Sequence, residues 1–223
     1  MELKIVYEDN HLISVIKECG IPVMKDSSGD YDLQNMIKDH LKNKYKKPGN
    51  VFLGIVHRLD RPVGGVMLFA KTSKAASRLS DQIRKGEWKK KYLAVIEGFP
   101  LERSGTFEDH IIKDSENNKV AVTEMSVDGA KKATLNYKVI LKNRKRAIVE
   151  IDLKTGRSHQ IRVQFSSRGF PIVNDFKYNP LNLKKKGDIA LWSHSIELIH
   201  PVTCKPLCLS ADMPGNMAEL FLN

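Results

Sequence analysis

The chain predicts an α+β fold with a mixed, largely antiparallel β-sheet and flanking helices. Three observations carry that expectation. Segments patterned as strands outnumber helical ones, strands follow one another in runs, and the regular βαβ alternation of a parallel sheet is missing. With 223 residues and 41% hydrophobic content, the chain can bury the core of one compact domain, expected to span 1–223.

Short apolar stretches at 3–7 and 12–16 flank Glu8-Asp9-Asn10 and read as two strands joined by a turn. From Asp32, a candidate N-cap, the spacing changes to Leu33, Met36, Ile37, Leu41 and Tyr45, an amphipathic helix closed by Pro48-Gly49. Residues 51–56 and 66–70 read as strands around a polar insert at 57–62. A second helix starts near Ser73 and ends near Gly86, where glycine tolerates the left-handed conformation of a C-cap. Strands are then expected over 92–97, 107–112, 120–125, 133–141 and 147–153. Ser158 is the expected cap of a helix carrying Ile161, Val163 and Phe165 that Gly169 stops before Pro171. Strands at 189–199 and 206–210 and a short helix at 214–222 complete the chain.

Lys+Arg exceed Asp+Glu by 37 to 26, giving a net charge of +11. Sixteen of the 37 basic residues fall in four patches: Lys42, Lys44, Lys46, Lys47; Arg84, Lys85, Lys89, Lys90, Lys91; Lys142, Arg144, Lys145, Arg146; and Lys184, Lys185, Lys186. Four such patches on one domain attract a polyanion, the electrostatic footprint of a nucleic-acid binder. No apolar run approaches the roughly 18 residues of a membrane span, and the opening residues lack the basic-then-apolar plan of a signal peptide. Cys19, Cys204 and Cys208 are odd in number and unevenly placed, as expected of reduced thiols in the cytoplasm. His194, His200, Cys204 and Cys208 lack a close Cys-x-x-Cys pair, so no metal site is assigned.

Three segments carry candidate chemistry. His57-Arg58-Leu59-Asp60-Arg61-Pro62-Val63-Gly64-Gly65 sets a carboxylate between two arginines, followed by residues that permit a tight backbone path. The kinase and NTPase readings of this loop fail, because a glycine-rich nucleotide loop, an Asp-Phe-Gly element and a P-loop are all absent. Lys154-Thr155-Gly156-Arg157-Ser158-His159-Gln160-Ile161-Arg162 collects polar and cationic groups at a turn entering a helix. An inward-facing Arg162 needs a buried anion, and a guanidinium keeps a carboxylate ionised, so Asp60 is the candidate partner. Lys90-Lys91-Tyr92-Leu93-Ala94 places an aromatic hydroxyl after three lysines, suited to stacking on a base beside a phosphate backbone.

In order and spacing, these segments together with the late Leu191 and His200-Pro201 resemble the RluA family of pseudouridine synthases over nearly the whole chain. The resemblance implies a catalytic domain without the small RNA-binding S4 domain that many members carry ahead of it. It implies an isomerase that breaks the uridine N1–C1′ bond, turns the uracil and rejoins it through C5, with no cofactor. Asp60 would be the essential carboxylate, attacking C1′ or removing the C2′ proton. Arg162 would pair with it, Tyr92 would stack on the base and Leu191 would line its pocket. Arg58 would fill the gap left by the flipped uridine, and Arg157 and His159 of the third motif would bind substrate. The expected partner is structured ribosomal or transfer RNA, met by a monomer. The chain departs from the family at Ile16-Lys17-Glu18-Cys19-Gly20, which keeps the lysine and glycine of the usual Asn-Lys-Pro stretch and loses the proline. It departs again at Trp192-Ser193-His194. Two other readings compete: an RNA-binding or ribosome-assembly protein of the same fold with lost catalysis, and a metal-dependent nuclease. The nuclease calls for clustered carboxylates, whereas only Asp60 stands in the motif core.

Overall fold

The computed structural model describes residues 2–26, 28–181 and 187–222; the basic patch of Lys184, Lys185 and Lys186 lies outside them. In chain order the elements are β1 (Ile5–Glu8), β2 (Leu12–Lys17), α1 (Leu33–Lys44), β3 (Gly54–Ile55), β4 (Gly64–Ala70), α2 (Ser73–Arg84), β5 (Lys89–Glu97), β6 (Ser104–Asp114), β7 (Lys119–Thr123), β8 (Lys131–Lys142), β9 (Arg146–Leu153), α3 (Gln160–Ser166), β10 (Leu191–Ile199), β11 (Pro206–Ser210) and α4 (Gly215–Glu219). They fall into two units, Met1–Lys89 with Ser193–Asp212, and Lys90–Trp192 with Met213–Asn223. No helix among the described residues is long and apolar enough to cross a membrane.

In the first unit the strands run in the order β1-β2-β4-β10-β11, with β3 also on β4. The pairs β1–β2, β2–β4, β3–β4 and β10–β11 are antiparallel. All seven residues of β4 are buried, as its unbroken Gly-Gly-Val-Met-Leu-Phe-Ala run requires of a strand covered on both faces. Helix α1 starts where Asp32, in extended conformation, accepts the Asn35 N–H at 2.9 Å, a cap contributing about 1 kcal/mol. Its apolar stripe buries Leu33, Ile37 and Leu41. Thr72 caps α2 in the same way, and the helix buries Ala75 and Leu79 before Gly86 takes the left-handed conformation at φ 72°.

The second unit carries the antiparallel order β5-β9-β8-β6-β7. Along β9 the period-2 pattern buries Ala147, Val149, Ile151 and Leu153 on one face. The rings of Phe107, Tyr137 and Phe165 meet edge-on or tilted at centroid distances of 4.6–6.1 Å. Val163 of α3 packs with Ile111, Val120 and Ala133, covered by Tyr178.

Two local expectations change. The strand expected over 51–56 is only the two-residue β3, because His57 leaves the backbone ladder and its ring accepts the Leu68 N–H of β4 at 3.0 Å. Ser158 does not cap α3. His159 holds the N-cap position in left-handed conformation, φ 50°, without a side-chain cap, since the turn is braced from inside the helix by Gln160.

Candidate active site

Asp60 lies in a turn closed by the Val63 N–H on the Asp60 carbonyl at 3.0 Å, with Arg61 and Pro62 between them. Leu59 and Val63, both buried, anchor the two ends of the turn in the core of the first unit. The turn is also held from below. Lys17 of β2 is fully buried, and its ammonium donates to the carbonyls of Arg61 at 2.9 Å, Val63 at 2.7 Å and Glu18 at 3.1 Å. Three acceptors replace the water that a buried ammonium gives up, and two of them belong to the turn. The Gly20 N–H shares the Arg61 carbonyl at 2.9 Å.

The arginines beside Asp60 are engaged elsewhere. Arg61 donates from Nε to the Gly20 carbonyl at 2.9 Å and pairs with Asp26 and Asp30. Arg58 is exposed, and its Nη1 lies 3.7 Å from the Met24 sulfur. His57 Nε2 accepts a backbone N–H from β4, which fixes the entry to the turn. On the exit side Gly65 has φ 121°, and a Cβ there would meet the Ser193 carbonyl oxygen at 2.3 Å. Only glycine admits so close an approach of β10, whose Ser193 hydroxyl donates to the Val66 carbonyl at 3.1 Å.

In the second unit Tyr92 is buried on β5, opposite Ile151 of β9. The turn before α3 is organised by the buried Gln160. Its Oε1 accepts from the Thr155 hydroxyl at 2.7 Å and the Arg157 N–H at 3.1 Å, while Nε2 donates to the Thr134 carbonyl and to Gln164 Oε1, each at 3.1 Å. Arg162 is buried and held in a two-pronged pair with buried Asp175, Nε to Oδ2 and Nη2 to Oδ1, both 2.7 Å. The Tyr178 ring covers the guanidinium at 5.1 Å. Asp175 also accepts the N–H groups of Lys177 and Tyr178 at 3.0 and 3.2 Å, so one turn supplies both contacts to Arg162. The Tyr178 hydroxyl accepts the Val120 N–H at 2.8 Å and shares a second hydrogen bond with His159 Nδ1, 2.7 Å away. Arg157 is exposed and donates from Nε to the Lys132 carbonyl at 3.1 Å. Leu191 is buried at the start of β10.

The sequence-derived candidates therefore divide between the units: Asp60 and Arg58 in the first; Tyr92, Arg157, His159, Arg162 and Leu191 in the second. Within the second unit the structure links His159 to Arg162 through Tyr178. The sequence did not single out Asp175 or Tyr178, and it placed His57 in the Asp60 segment without a role. The spacing Asp175-Phe176-Lys177-Tyr178, an aspartate able to accept N–H groups two and three residues on, was the available signal for the first two.

The chain matches a family model described as RNA pseudouridylate synthase over residues 11–167. It is 33% identical over 224 residues to YhcT, an uncharacterised RNA pseudouridine synthase of Bacillus subtilis (strain 168), covering 98% of this chain and 71% of that protein. It is 33% identical over 235 residues to ribosomal large subunit pseudouridine synthase D of Zymomonas mobilis, covering 98% and 72%. Among solved structures, human RNA pseudouridylate synthase domain containing 4 has the same fold, with a TM-score of 0.81 over 96% of this chain and 90% of that one at 23% identity.

Proposed function

The chain belongs to the RNA pseudouridylate synthase family, of RluA type and hence an isomerase, and on that premise we propose that it converts a specific uridine of structured RNA to pseudouridine with Asp60 as its essential carboxylate. The reaction breaks the N1–C1′ bond and forms a C5–C1′ bond; N1 gains a proton and C5 loses one, so substrate and product have the same composition. Asp60 starts it by attacking C1′ or by taking the C2′ proton, and both routes need the ionised carboxylate. Arg162 provides the cation that favours that form, Tyr92 stacks on the uracil, and Leu191 lines the pocket. Arg157 and His159 bind the flanking RNA, and exposed Arg58 fills the gap left in the stem.

The observation that carries this reading is the support of the Asp60 turn by a buried ammonium, which commits a costly internal charge to the backbone that presents one carboxylate. A similar relative is named for the ribosomal large subunit, which supports ribosomal over transfer RNA as the target. We take the chain as a single catalytic unit acting as a monomer in the cytoplasm. The test is pseudouridine mapping, by carbodiimide adducts and reverse-transcription stops, on total RNA from cells with the gene, without it, and complemented by wild type or Asp60→Asn. A stop that disappears on deletion and returns only with wild type is expected. Identical maps in all four samples would refute the catalytic reading in favour of an RNA-binding or assembly protein.

A further inference from the structure

Of three consecutive lysines on β5, the outer two reach carboxylates. Lys89 Nζ lies 3.5 Å from Glu197, and Lys91 Nζ 3.3 Å from Glu150. Lys90 differs. Strand alternation turns it to the face that Tyr92 occupies two residues on, about 6.7 Å along the strand. There its ammonium lies against Gly156: a methyl group placed on that glycine would come within 3.2 Å of Nζ. Among the described residues Lys90 has no hydrogen bond and no ion pair. Burial alone acts on it and pulls its pKa below the ordinary lysine value.

A partly desolvated, unpartnered ammonium is a cost to the fold, and groups perturbed in this way cluster at functional sites. Its surroundings are built to hold it in place. Gly156 belongs to the turn that Gln160 braces to β8, so the floor beneath the ammonium is rigid. The next residue, Arg157, is fixed by its Nε bond to the Lys132 carbonyl, while its terminal nitrogens make no hydrogen bond among the described residues. Two cations with uncommitted donors thus stand at this turn: Lys90, which lies against Gly156 on the strand face of Tyr92, and Arg157, the next residue in the chain after that glycine.

We propose that Lys90, which lies against Gly156, and the adjoining Arg157 form a binding site for a backbone phosphate of the RNA, next to the nucleotide that Tyr92 receives. The proposal rests on the synthase reading for the identity of its ligand. A side chain at Gly156 would crowd the ammonium and push it from its present place. Half-buried and unpaired beside an exposed glycine, the ammonium has a phosphate as its first strong partner.

The test is filter binding of an unmodified in vitro transcript of large-subunit ribosomal RNA between 50 and 200 mM salt, with thermal unfolding of each variant. Lys90→Met should raise Kd about threefold or more and flatten the log Kd against log salt slope by about 0.7–0.9, the loss of one phosphate contact. It should melt no lower than wild type, because an apolar side chain replaces an unpartnered charge. Gly156→Ala, which keeps the lysine but fills its place, should flatten the slope in the same direction. Equal slopes for wild type and Lys90→Met would overturn the proposal, as would a lowered melting temperature, which would make the ammonium a structural group. Pseudouridine formation by wild type on the same transcript tests the synthase reading separately: a wild type that binds without product refutes that reading, while the slope comparison still decides the phosphate site.

Discussion

Replacing Lys17 by methionine keeps the length of the side chain and removes only the charge and its three donors, so it isolates the clamp beneath the Asp60 turn. The Arg61 carbonyl retains the Gly20 N–H, but the Val63 carbonyl, held at 2.7 Å, loses a charge-assisted bond inside the protein. Hydrogen bonds to charged groups contribute about 1.5–3 kcal/mol each, and methionine spares the fold the desolvation of an ammonium, which offsets part of the three. A net loss of about 3 kcal/mol follows. For a chain of this size that is a fall in Tm of roughly 6–12 °C. Activity should suffer more than stability, because the clamp fixes the two carbonyls that follow the Asp60 peptide and a displacement of about 1 Å at a reacting group costs on the order of 100-fold in rate. Urea denaturation and single-turnover pseudouridine formation, both well below the variant's Tm, measure the two losses. A Lys17→Met protein that melts within 2 °C of wild type and turns over normally would refute the argument that this ammonium positions the turn.

Gly65→Ala should be more damaging than any nearby surface change, since it combines φ 121° with a backbone oxygen 2.3 Å from the new Cβ; a loss of roughly 3 kcal/mol or more is expected in denaturant unfolding, and a loss below 1 kcal/mol would show that β10 can move aside. Glu8 is buried, which disfavours its charge, yet hydrogen bonds from Lys44, Lys71 and Tyr45 outweigh burial and hold its carboxyl at about 2 against an ordinary 4.5. The folded state thus binds the Glu8 proton more weakly than the unfolded chain, so this contribution to stability is complete above pH 4.5 and is lost as the pH falls toward 2. Glu8→Gln should flatten the acid limb of the stability profile over that window, and an unchanged limb would assign it to other carboxylates.

Local patterning made much of this fold readable. Asp32 before Leu33, Ile37 and Leu41 predicted α1 and its cap to the residue, because capping and helical periodicity are both decided within one turn of chain. The Asp60 turn was legible for the same reason, as its residues adjoin in sequence. What escaped was a further partner across the fold. Arg162 declared the need for a buried anion, but nothing local marks Asp175 among the 26 acidic residues as one that meets it. The shortness of β3 escaped because a ring nitrogen of His57 replaces a backbone carbonyl in the ladder, an exchange that no strand pattern encodes. His159 at the start of α3 escaped because the brace lies inside the helix, on Gln160, rather than on the serine that propensity favours.

The seam between Gly65 and Ser193 also sets the order of events during synthesis. The Ser193 hydroxyl and the Val66 carbonyl it meets are separated by 127 residues, and the first unit is assembled from both ends of the chain. On a ribosome adding roughly 5–20 residues per second, β10 emerges about 6–25 s after β4. Through that interval the segment carrying Asp60 is already made, but the strand that seals its exit does not yet exist. Until then the nascent chain carries an unfinished Asp60 turn, and the candidate site is sealed on its exit side only when β10 leaves the tunnel.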